Sequence, residues 1–257
     1  MNDVSTASPH HLSDTQPSTL IAWTIATAVK FAIAGTPPPT AALSPYLITF
    51  LAFLSSPNVS VRNAALIMVY SAVHHVPSLV APVMRQHVLP SLYELAGLTL
   101  KRKVDLGPFK HTVDDALPLR KASLSIFATS LENCREGLDI PEFLPLLAKA
   151  LADEEDVQLQ AHQILVSLCH VAPKDVFQKL MIFVDPLEKT IWKKTKGEKT
   201  GTELERENEW VKSALRAMLA LEALERKMGG KKTRDFFDRI KGNARFQHML
   251  KAVAEEH

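Results

Sequence analysis

Apolar residues recur every three or four positions from Leu20 to the C-terminus, in segments that Pro, Asn, Asp or Gly residues separate. This spacing is typical of amphipathic helices, and the separating residues mark helix ends. The pattern predicts the following helices, of which the last two are the weakest: Leu20–Ala34, Ala42–Leu54, Ser60–His75, Pro82–Leu100, Leu117–Cys134, Pro141–Leu151, Val157–Val171, Val176–Lys194, Glu203–Glu225, Thr233–Ile240 and Ala244–Ala254. After the first helix, these segments group into successive pairs.

The second helix of each pair begins with a similar run of apolar, basic or polar, and small residues. The run is VRNAAL at Val61–Leu66 and LRKASL at Leu119–Leu124, and looser copies begin at Val157 and Val211. Small residues in the middle of such a run let neighbouring helices approach closely, and the apolar residues on either side supply the packing. Four residues then occupy equivalent positions: Arg62, Arg120, Gln158 and Lys212.

The steps between these equivalent positions indicate a repeat. The middle step is close to about 40 residues, the period of HEAT and armadillo repeats, and the other two steps are longer. The extra residues form insertions at 101–116 and 195–203, both between the helices of a pair, so both should emerge on the same edge. We therefore predict an all-α fold, a right-handed HEAT/armadillo-type α-solenoid of about four repeats plus a half repeat.

Neither end of this array looks capped. Residues 1–19 are rich in Ser, Thr, Pro and His and are predicted to be a disordered tail. Leu20–Ala34 resembles the second helix of a repeat whose first helix is absent, so its free flank should be open to a partner. The repeat domain is assigned to residues 20–225 and a helical tail to residues 226–257.

Composition narrows the function classes. The chain has 257 residues, a formal net charge of +2 and only 9 glycines against 16 prolines. This composition argues against a Gly-rich nucleotide-binding sheet, and the charge gives no strong field toward nucleic acid or a membrane. Cys134 and Cys169 lie in apolar segments and are predicted to be buried thiols in a reducing compartment. Leu20–Ala34 is interrupted by Lys30 and follows no basic segment, so we expect a cytoplasmic and nuclear protein.

No segment resembles a catalytic, metal or cofactor site, and we expect neither an enzyme nor a bound cofactor. The acidic run 153–156 falls at a predicted turn, where carboxylates favour the start of the next helix. His74 and His75 are adjacent, so they face different sides of a helix and cannot chelate one ion together. His162 is most simply a buried or edge histidine.

The second insertion is basic. Lys189–Lys199 contains five lysines and Trp192, whose ring could stack on a base, so a nucleic-acid-binding helical repeat is one interpretation. Glutamates follow directly after it at alternate positions from Glu203 to Glu209. A solvated loop, or a rim for an acidic protein surface, fits that mixture better.

The first insertion has the pattern of a β-hairpin. Val104 and Leu106 alternate with polar residues before Gly107-Pro108, and apolar residues alternate again from Phe109 onward. Phe109, surrounded by lysines and an arginine, has the make-up of an apolar anchor with a polar rim. Packing of this loop on its own repeat is the alternative, because an isolated two-stranded hairpin is marginally stable in water.

The stretch Gly107–Asp115, followed by Leu117 and Leu119–Ala122, resembles the C-terminal region of the cullin-associated and neddylation-dissociated (Cand, or TIP-type) family. The resemblance covers about residues 20–225 in order, and it includes Ala28–Phe31, Asn58–Arg62, Pro77–Leu79, Val88–Tyr93, Leu138–Leu144 and Val184–Leu187. Ala116 and Pro118 stand where the family usually has Gly and an acidic residue, so the exit from the hairpin is expected to differ.

This resemblance implies a HEAT solenoid that binds an unneddylated cullin. The family's C-terminal repeats clasp the N-terminal region of the cullin, and a hairpin enters the surface otherwise held by the substrate-receptor adaptor. The resemblance identifies residues 101–115 as that hairpin and implies partner binding by Lys103, Val104, Asp105, Leu106, Gly107, Pro108, Phe109, Lys110, His111 and Thr112. The family's N-terminal repeats, which cover the lysine that accepts the ubiquitin-like modifier, have no counterpart in this sequence.

The function expected from these observations is regulation of cullin-RING (SCF-type) ubiquitin ligase assembly by receptor exchange. The chain is expected to be a monomer by itself, without nucleic-acid or membrane partners. A separate N-terminal Cand half could pack on Leu20–Ala34. The alternative functions are a generic HEAT-repeat scaffold with another target and, less well supported, the nucleic-acid-binding repeat.

Overall fold

The computed structural model describes residues 17–106, 109–193 and 201–255. Within these ranges the elements are α1 (Pro17–Ile33), α2 (Thr40–Leu43), α3 (Leu47–Leu51), α4 (Val59–His75), α5 (Pro77–Val80), α6 (Leu89–Ala96), β1 (Lys101–Leu106), β2 (Phe109–Asp114), α7 (Leu117–Asn133), α8 (Ile140–Ala150), α9 (Glu155–Val171), α10 (Pro173–Gln178), α11 (Met181–Ile191), α12 (Gly201–Lys227), α13 (Arg234–Lys241) and α14 (Ala244–Glu255). Short 3-10 turns at 44–46, 52–55, 81–83 and 135–137 and a π-helical turn at 84–88 connect several of them.

The helices form two layers. The second helices of the pairs, α1, α4, α7, α9 and α12, pack side by side in chain order. Among the first helices, α6 packs on α8, and α8 packs on α10 and α11. Each repeat therefore contacts its neighbours in sequence, which confirms the predicted HEAT/armadillo-type solenoid.

The second helices begin and pack as their sequences predict. Asn58 caps α4, because its side-chain oxygen accepts hydrogen bonds from two amides of the first turn, 2.9 and 3.2 Å away. The small residues of the repeated run are buried at the interfaces between these helices: Ala65, Ser123, Ala161 and Ala214 have no exposed surface. The helices can therefore approach closely, with larger apolar side chains on either side.

The first helices are more broken than predicted. The segment Pro82–Leu100 is a 3-10 turn, a π-helical turn and α6, which ends at Ala96. Pro90 has no amide hydrogen and its ring crowds the carbonyl four residues earlier, so it fits the first turn of α6, and the chain before it is a π-helical turn. The predicted helices Ala42–Leu54 and Val176–Lys194 are also divided, the former around Pro45.

Both ends of the chain differ from expectation. α1 begins at Pro17, three residues before the predicted start, because proline is well tolerated in the first turn of a helix. The rest of the predicted disordered tail, residues 1–16, lies outside the described residues. At the other end, α13 and α14 cover α12 and bury Phe236, Phe237 and Phe246. The C-terminal end of the array is therefore capped, contrary to the sequence prediction.

Aromatic stacking joins the hairpin-bearing pair, α6 and α7, to α8 of the next repeat. The rings of Tyr93 and Phe127 are 5.6 Å apart, and those of Phe127 and Phe143 are 3.9 Å apart, each pair nearly parallel. The Tyr93 hydroxyl also donates a hydrogen bond to the carbonyl of Asp139 at 3.2 Å. These contacts tie α6, α7 and α8 into one packed unit next to the hairpin.

Candidate functional site

The first insertion is an antiparallel hairpin between α6 and α7. β1 and β2 pair over six residues each, from Lys101 opposite Asp114 to Leu106 opposite Phe109. The predicted hairpin is confirmed over these strands. The predicted turn Gly107-Pro108 and the side chain of the predicted anchor Phe109 lie outside the described residues, as do the side chains of Asp105, Leu106 and Lys110.

The described side chains of the hairpin are largely exposed. On one face of the hairpin, Arg102 pairs with Val113 and Val104 pairs with His111. Each pair therefore places an apolar side chain opposite a guanidinium or an imidazole. Lys103 and Thr112 pair on the other face, and both are exposed. Val113 is 38% exposed, and His111 is exposed beside the partly buried Val104. Along residues 101–103 and 111–113, these exposed positions favour a projecting hairpin over one that packs on its own repeat.

Asp114 holds the base of the hairpin closed. One of its carboxylate oxygens accepts hydrogen bonds from the amide of Leu100 at 2.9 Å and from the amide of Ala116 at 3.1 Å. Burial opposes ionisation of Asp114, but the Leu100 amide and the guanidinium of Arg120 outweigh it, so the pKa of Asp114 lies below its usual range. Ala116 is fully buried and has a φ of −89°, so glycine is not required at this exit.

Arg120 is the centre of the polar contacts at the hairpin base. Its guanidinium binds both carboxylate oxygens of Asp153, at 2.6 and 2.9 Å. It also donates hydrogen bonds to Asp114 and to the carbonyl of Leu98, each at 2.8 Å. Only 3% of the Arg120 side chain is exposed. Such a buried charge is stable only when its donors are paired, as these are.

The equivalent positions found in the sequence make equivalent contacts. Arg62 and Gln158 each donate a hydrogen bond to a carbonyl in the turn before their own helix, those of Ser56 and Asp153. Each also reaches the next repeat, because Arg62 pairs with Glu94 at 3.3 Å and Gln158 accepts a hydrogen bond from Trp210 at 2.9 Å. The residues that the repeated run singled out for packing therefore also form a polar ladder.

Lys212 does not continue this ladder. It pairs with Glu209 on its own helix at 2.7 Å, and α12 begins at Gly201, well before the repeated run. α12 still contacts α9 within the run, since His162 of α9 is hydrogen-bonded to Ser213 of α12. Sequence reasoning missed the polar ladder, although a basic residue in one repeat and an acidic turn one repeat later were its visible signal.

The acidic run 153–156 works as an ion-pairing turn. Asp153 binds Arg120, and Asp156 pairs with Lys121 at 2.8 Å and with Arg206 at 3.4 Å. The Lys121 ammonium lowers the pKa of Asp156, which burial opposes. Within the described residues, no group of three or more His, Cys, Asp or Glu side chains is arranged to hold a metal ion.

Other sequence candidates are buried within the repeats. His162 is 1% exposed, and its Nδ1 lies 2.8 Å from the Ser213 hydroxyl oxygen. Cys134 and Cys169 are free and buried, as predicted, and burial raises the pKa of Cys169 to about 12. Among the described helices, none is by itself long and apolar enough to cross a bilayer, and the pair Val59–His75 and Pro77–Ala96 reaches that length only across a 118° bend.

The described residues next to the second insertion form packing contacts, whereas the sequence suggested a basic binding surface. The Trp192 ring packs edge-on against Phe246 with ring centroids 5.1 Å apart, so it joins α11 to the C-terminal helices. Lys193 lies 4.4 Å above the ring of the buried Trp210. Residues 194–200, with the remaining lysines of the predicted basic loop, lie outside the described residues. The partly buried, packed Trp192 ring does not favour the base-stacking interpretation.

α1 carries a second exposed surface, which we call the N-terminal flank. One side of the helix packs on α4 through Ala26, Val29 and Ile33. The other side exposes large apolar residues, with Phe31 65% exposed, and the flank consists of Leu20, Ile21, Trp23, Ile25 and Phe31. The predicted open face of the first helix is present.

Comparison with known proteins identifies the family. A family model described as TIP120, TATA-binding protein interacting (TIP20), matches residues 79–241. The chain belongs to this family, the C-terminal repeat region of the Cand proteins. The match includes the hairpin and every helix from the aromatic stack to α13.

Relatives of this Cand-family chain are much longer than it is. Cullin-associated NEDD8-dissociated protein 2 of Rattus norvegicus is 34% identical over 239 residues, which cover 91% of this chain and 18% of that protein. Cullin-associated NEDD8-dissociated protein 1 of Arabidopsis thaliana is 33% identical over 214 residues, 82% of this chain and 18% of that protein. The chain thus spans about a fifth of the length of these relatives.

Two further similarities are a relative that is named as a C-terminal part and a solved structure with the same fold. A protein of Emericella nidulans named Cullin-associated NEDD8-dissociated protein 1, C-terminal part, is 28% identical over 143 residues, 54% of this chain and 13% of that protein. A designed armadillo repeat protein superposes with a TM-score of 0.51 and 15% identity over 95% of both chains, which shows the shared fold. Family and fold are those of helical repeat scaffolds and regulators.

Proposed function

We propose that this Cand-family chain binds an unneddylated cullin and regulates cullin-RING ligase assembly by displacing the substrate-receptor adaptor. Its relatives are named as cullin-associated proteins, which supports cullin as the target. The observation that carries the proposal is a hairpin whose described side chains at 101–103 and 111–113 are exposed and whose base is held by Asp114 and Arg120. The proposed activity is binding, with no chemistry performed on the partner.

The hairpin suits competition for a surface. A two-stranded hairpin is marginally stable alone, and here the hydrogen bonds and ion pairs of its base support it while the described side chains at 101–103 and 111–113 stay exposed. A fixed projecting element can exclude another protein from a shared surface even when its own contact area is small. Lys103, Val104, His111 and Thr112 then provide a mixed apolar and basic surface for the cullin.

The decisive experiment is an adaptor-displacement assay on purified cullin–adaptor complex. Deleting residues 103–112 should abolish displacement while leaving some cullin affinity through the repeat surfaces. Phe109→Ala should raise the concentration needed for displacement by about 30-fold, or about 2 kcal/mol, if Phe109 is the anchor of the interface. Its melting temperature should stay that of the parent.

Phe31→Ala is the matched control, because Phe31 is an exposed aromatic residue on the distant helix α1. It should leave displacement unchanged. Displacement that survives the deletion would show that the hairpin is not the competing element. A chain that binds RNA in place of cullin would lose affinity steeply with salt, and a scaffold for another target would bind neither.

The N-terminal flank of α1 is proposed to receive the preceding Cand repeats, on the same or a separate chain. An exposed apolar row on a solenoid's terminal helix is the kind of surface that the next repeat covers. Titration calorimetry with a purified N-terminal Cand segment should show binding that Trp23→Glu weakens, while cullin binding by the C-terminal chain stays unchanged. Equal binding by both forms would contradict this assignment.

By itself the chain is proposed to be an elongated monomer, found in cytoplasm and nucleus. A compact globule of this length has a radius of gyration of about 18 Å. Small-angle scattering should give a larger value with a monomer mass, and a value of 18 Å or below would contradict the elongated form. Fluorescent fusion and cell fractionation test the location.

A further inference from the structure

The guanidinium of Arg120 joins three separate parts of the chain. It binds Leu98, before the hairpin, and Asp114, at its end. It binds Asp153 of the following repeat through two parallel hydrogen bonds. A planar fork bound at both ends fixes direction as well as distance, which a single lysine ammonium cannot do.

The other polar contacts of the hairpin base stay within the hairpin and the residues that flank it. The amide–carbonyl bond from Asp115 to Leu100, 3.1 Å long, closes the base of the hairpin onto itself. The Arg102–Asp115 ion pair also stays within the hairpin, and its side chains are 52% and 38% exposed, so water weakens it. Among the hydrogen bonds and ion pairs of the described residues, those of Arg120 link the hairpin base to the following repeat.

The repeat without a hairpin provides a comparison. Arg62 occupies the equivalent position on α4, where its acidic partner Glu94 is 62% exposed. At Arg120 both acidic partners are largely buried, with side-chain exposures of 7% for Asp114 and 20% for Asp153. Arg120 in the hairpin-bearing repeat thus forms buried ion pairs with two carboxylates, whereas the equivalent Arg62 forms one pair with an exposed carboxylate.

The turn that receives Arg120 is itself held in place. The carbonyl of Asp153 accepts a hydrogen bond from Gln158 at 2.8 Å, and Gln158 in turn accepts one from the buried Trp210 at 2.9 Å. A buried polar chain therefore runs from the hairpin base through α9 to α12. Movement of the hairpin base would disturb paired groups in two further repeats.

We infer that Arg120 is a positioning residue that sets the direction of the hairpin relative to the following repeat. The inference rests on the proposed function for its consequence: adaptor displacement requires the hairpin to point at the shared surface. Loosening the Asp114–Arg120 pair should reduce displacement more than it reduces cullin affinity, because the repeat surfaces that bind cullin are unaltered.

Asp114→Asn is the main variant. The amide keeps the oxygen that accepts from Leu100 and Ala116, but it loses the charge and the second acceptor that Arg120 uses. Arg120→Lys is a second variant, which keeps the charge and loses the fork. Asp115→Asn is the matched control, because it removes only the exposed pair with Arg102.

The structural readout is the distance distribution between spin labels at His111→Cys and Gln163→Cys, two exposed positions on the hairpin and on α9. Cys134 and Cys169 are buried and stay unlabelled in the folded protein. The parent and Asp115→Asn should give one narrow distribution, and Asp114→Asn and Arg120→Lys a broad one. Displacement by unlabelled Asp114→Asn should need about tenfold more protein at nearly unchanged cullin affinity.

The outcomes separate the two proposals. A narrow, unchanged distribution in folded Asp114→Asn overturns the positioning role of Arg120. A broad distribution with unchanged displacement supports the positioning role and contradicts the proposed function of the hairpin. If Arg120→Lys fails to fold, Asp114→Asn, which leaves the Arg120–Asp153 contact in place, decides alone.

Discussion

α1 and α7 have the same length and lie in the same layer, yet they differ in how they are held. Each has 17 residues. α7 packs between α4 and α9 and buries residues from Leu119 to Leu131, including Phe127. α1 packs on α4, and among its described residues only Ala26, Val29 and Ile33 are buried. Two helices of equal length are therefore stabilised to different extents, because packing against neighbouring helices supplies most of a helix's stability.

The same comparison explains where the apolar surface of the protein lies. α1 is apolar on both sides because a repeat helix needs one side for each neighbour. With a neighbour on one side, the other side remains as the N-terminal flank. At the C-terminal end, α13 and α14 cover α12, so the two ends of the array offer partners very different surfaces.

The largest expected effect on the free energy of unfolding comes from removing the buried ring of Phe127 in α7, and the exposed ring of Phe31 in α1 is the comparison. Phe127 is 1% exposed and stacks on two rings, so Phe127→Ala should lower the free energy of unfolding by about 3–5 kcal/mol. Phe31→Ala should change it by less than about 0.5 kcal/mol, because Phe31 is exposed. Urea unfolding followed by circular dichroism measures both, and equal losses would break the contrast between the helices.

A pH dependence should belong to the central repeats. Ser213 donates its hydroxyl proton to the Trp210 carbonyl, so His162 Nδ1 donates to Ser213, and its buried Nε2 has no hydrogen-bond partner among the described residues. Burial lowers the pKa of His162 to about 3 from the usual 6.5. Between pH 6.5 and about pH 3 the unfolded state binds a proton that the folded state does not, so stability should fall by about 1.4 kcal/mol per pH unit.

Urea unfolding at pH 7 and pH 5 tests this dependence. His162→Gln should remove most of the difference between the two values. His170→Gln is the control, because His170 is exposed on the same helix. If the parent and His162→Gln lose the same stability on acidification, another group is responsible.

The smallest expected effect on the free energy of unfolding comes from a substitution on the exposed side of α1. Ile21 is 59% exposed on the N-terminal flank, so Ile21→Ser should change the free energy of unfolding by less than about 0.5 kcal/mol. The same variant should weaken binding of an N-terminal Cand segment, measured by titration calorimetry. A large loss of stability would show that the flank is already covered in the isolated chain.

Much of the architecture follows from the sequence alone. The helical period and the repeated run around Arg62, Arg120 and Gln158 predict the second helices and their order, because each helix repeats the same packing problem. The alternation on both sides of Gly107-Pro108 predicts the hairpin strands. The first helices were predicted less well, since prolines such as Pro90 break a continuous apolar pattern into turns that periodicity does not distinguish.

Only the tertiary structure showed how the hairpin is held. Asp114 precedes Arg120 by six residues in the sequence, and Asp153 follows it by 33 residues. The sequence shows a basic residue and an acidic turn one repeat later, but it does not show that they meet, because the contact exists only once one repeat packs on the next. The sequence determines which residues lie on which face of a helix, through the periodicity of the backbone. Which buried charges meet depends on the stacking of repeats, since burial and pairing are properties of the assembled neighbours.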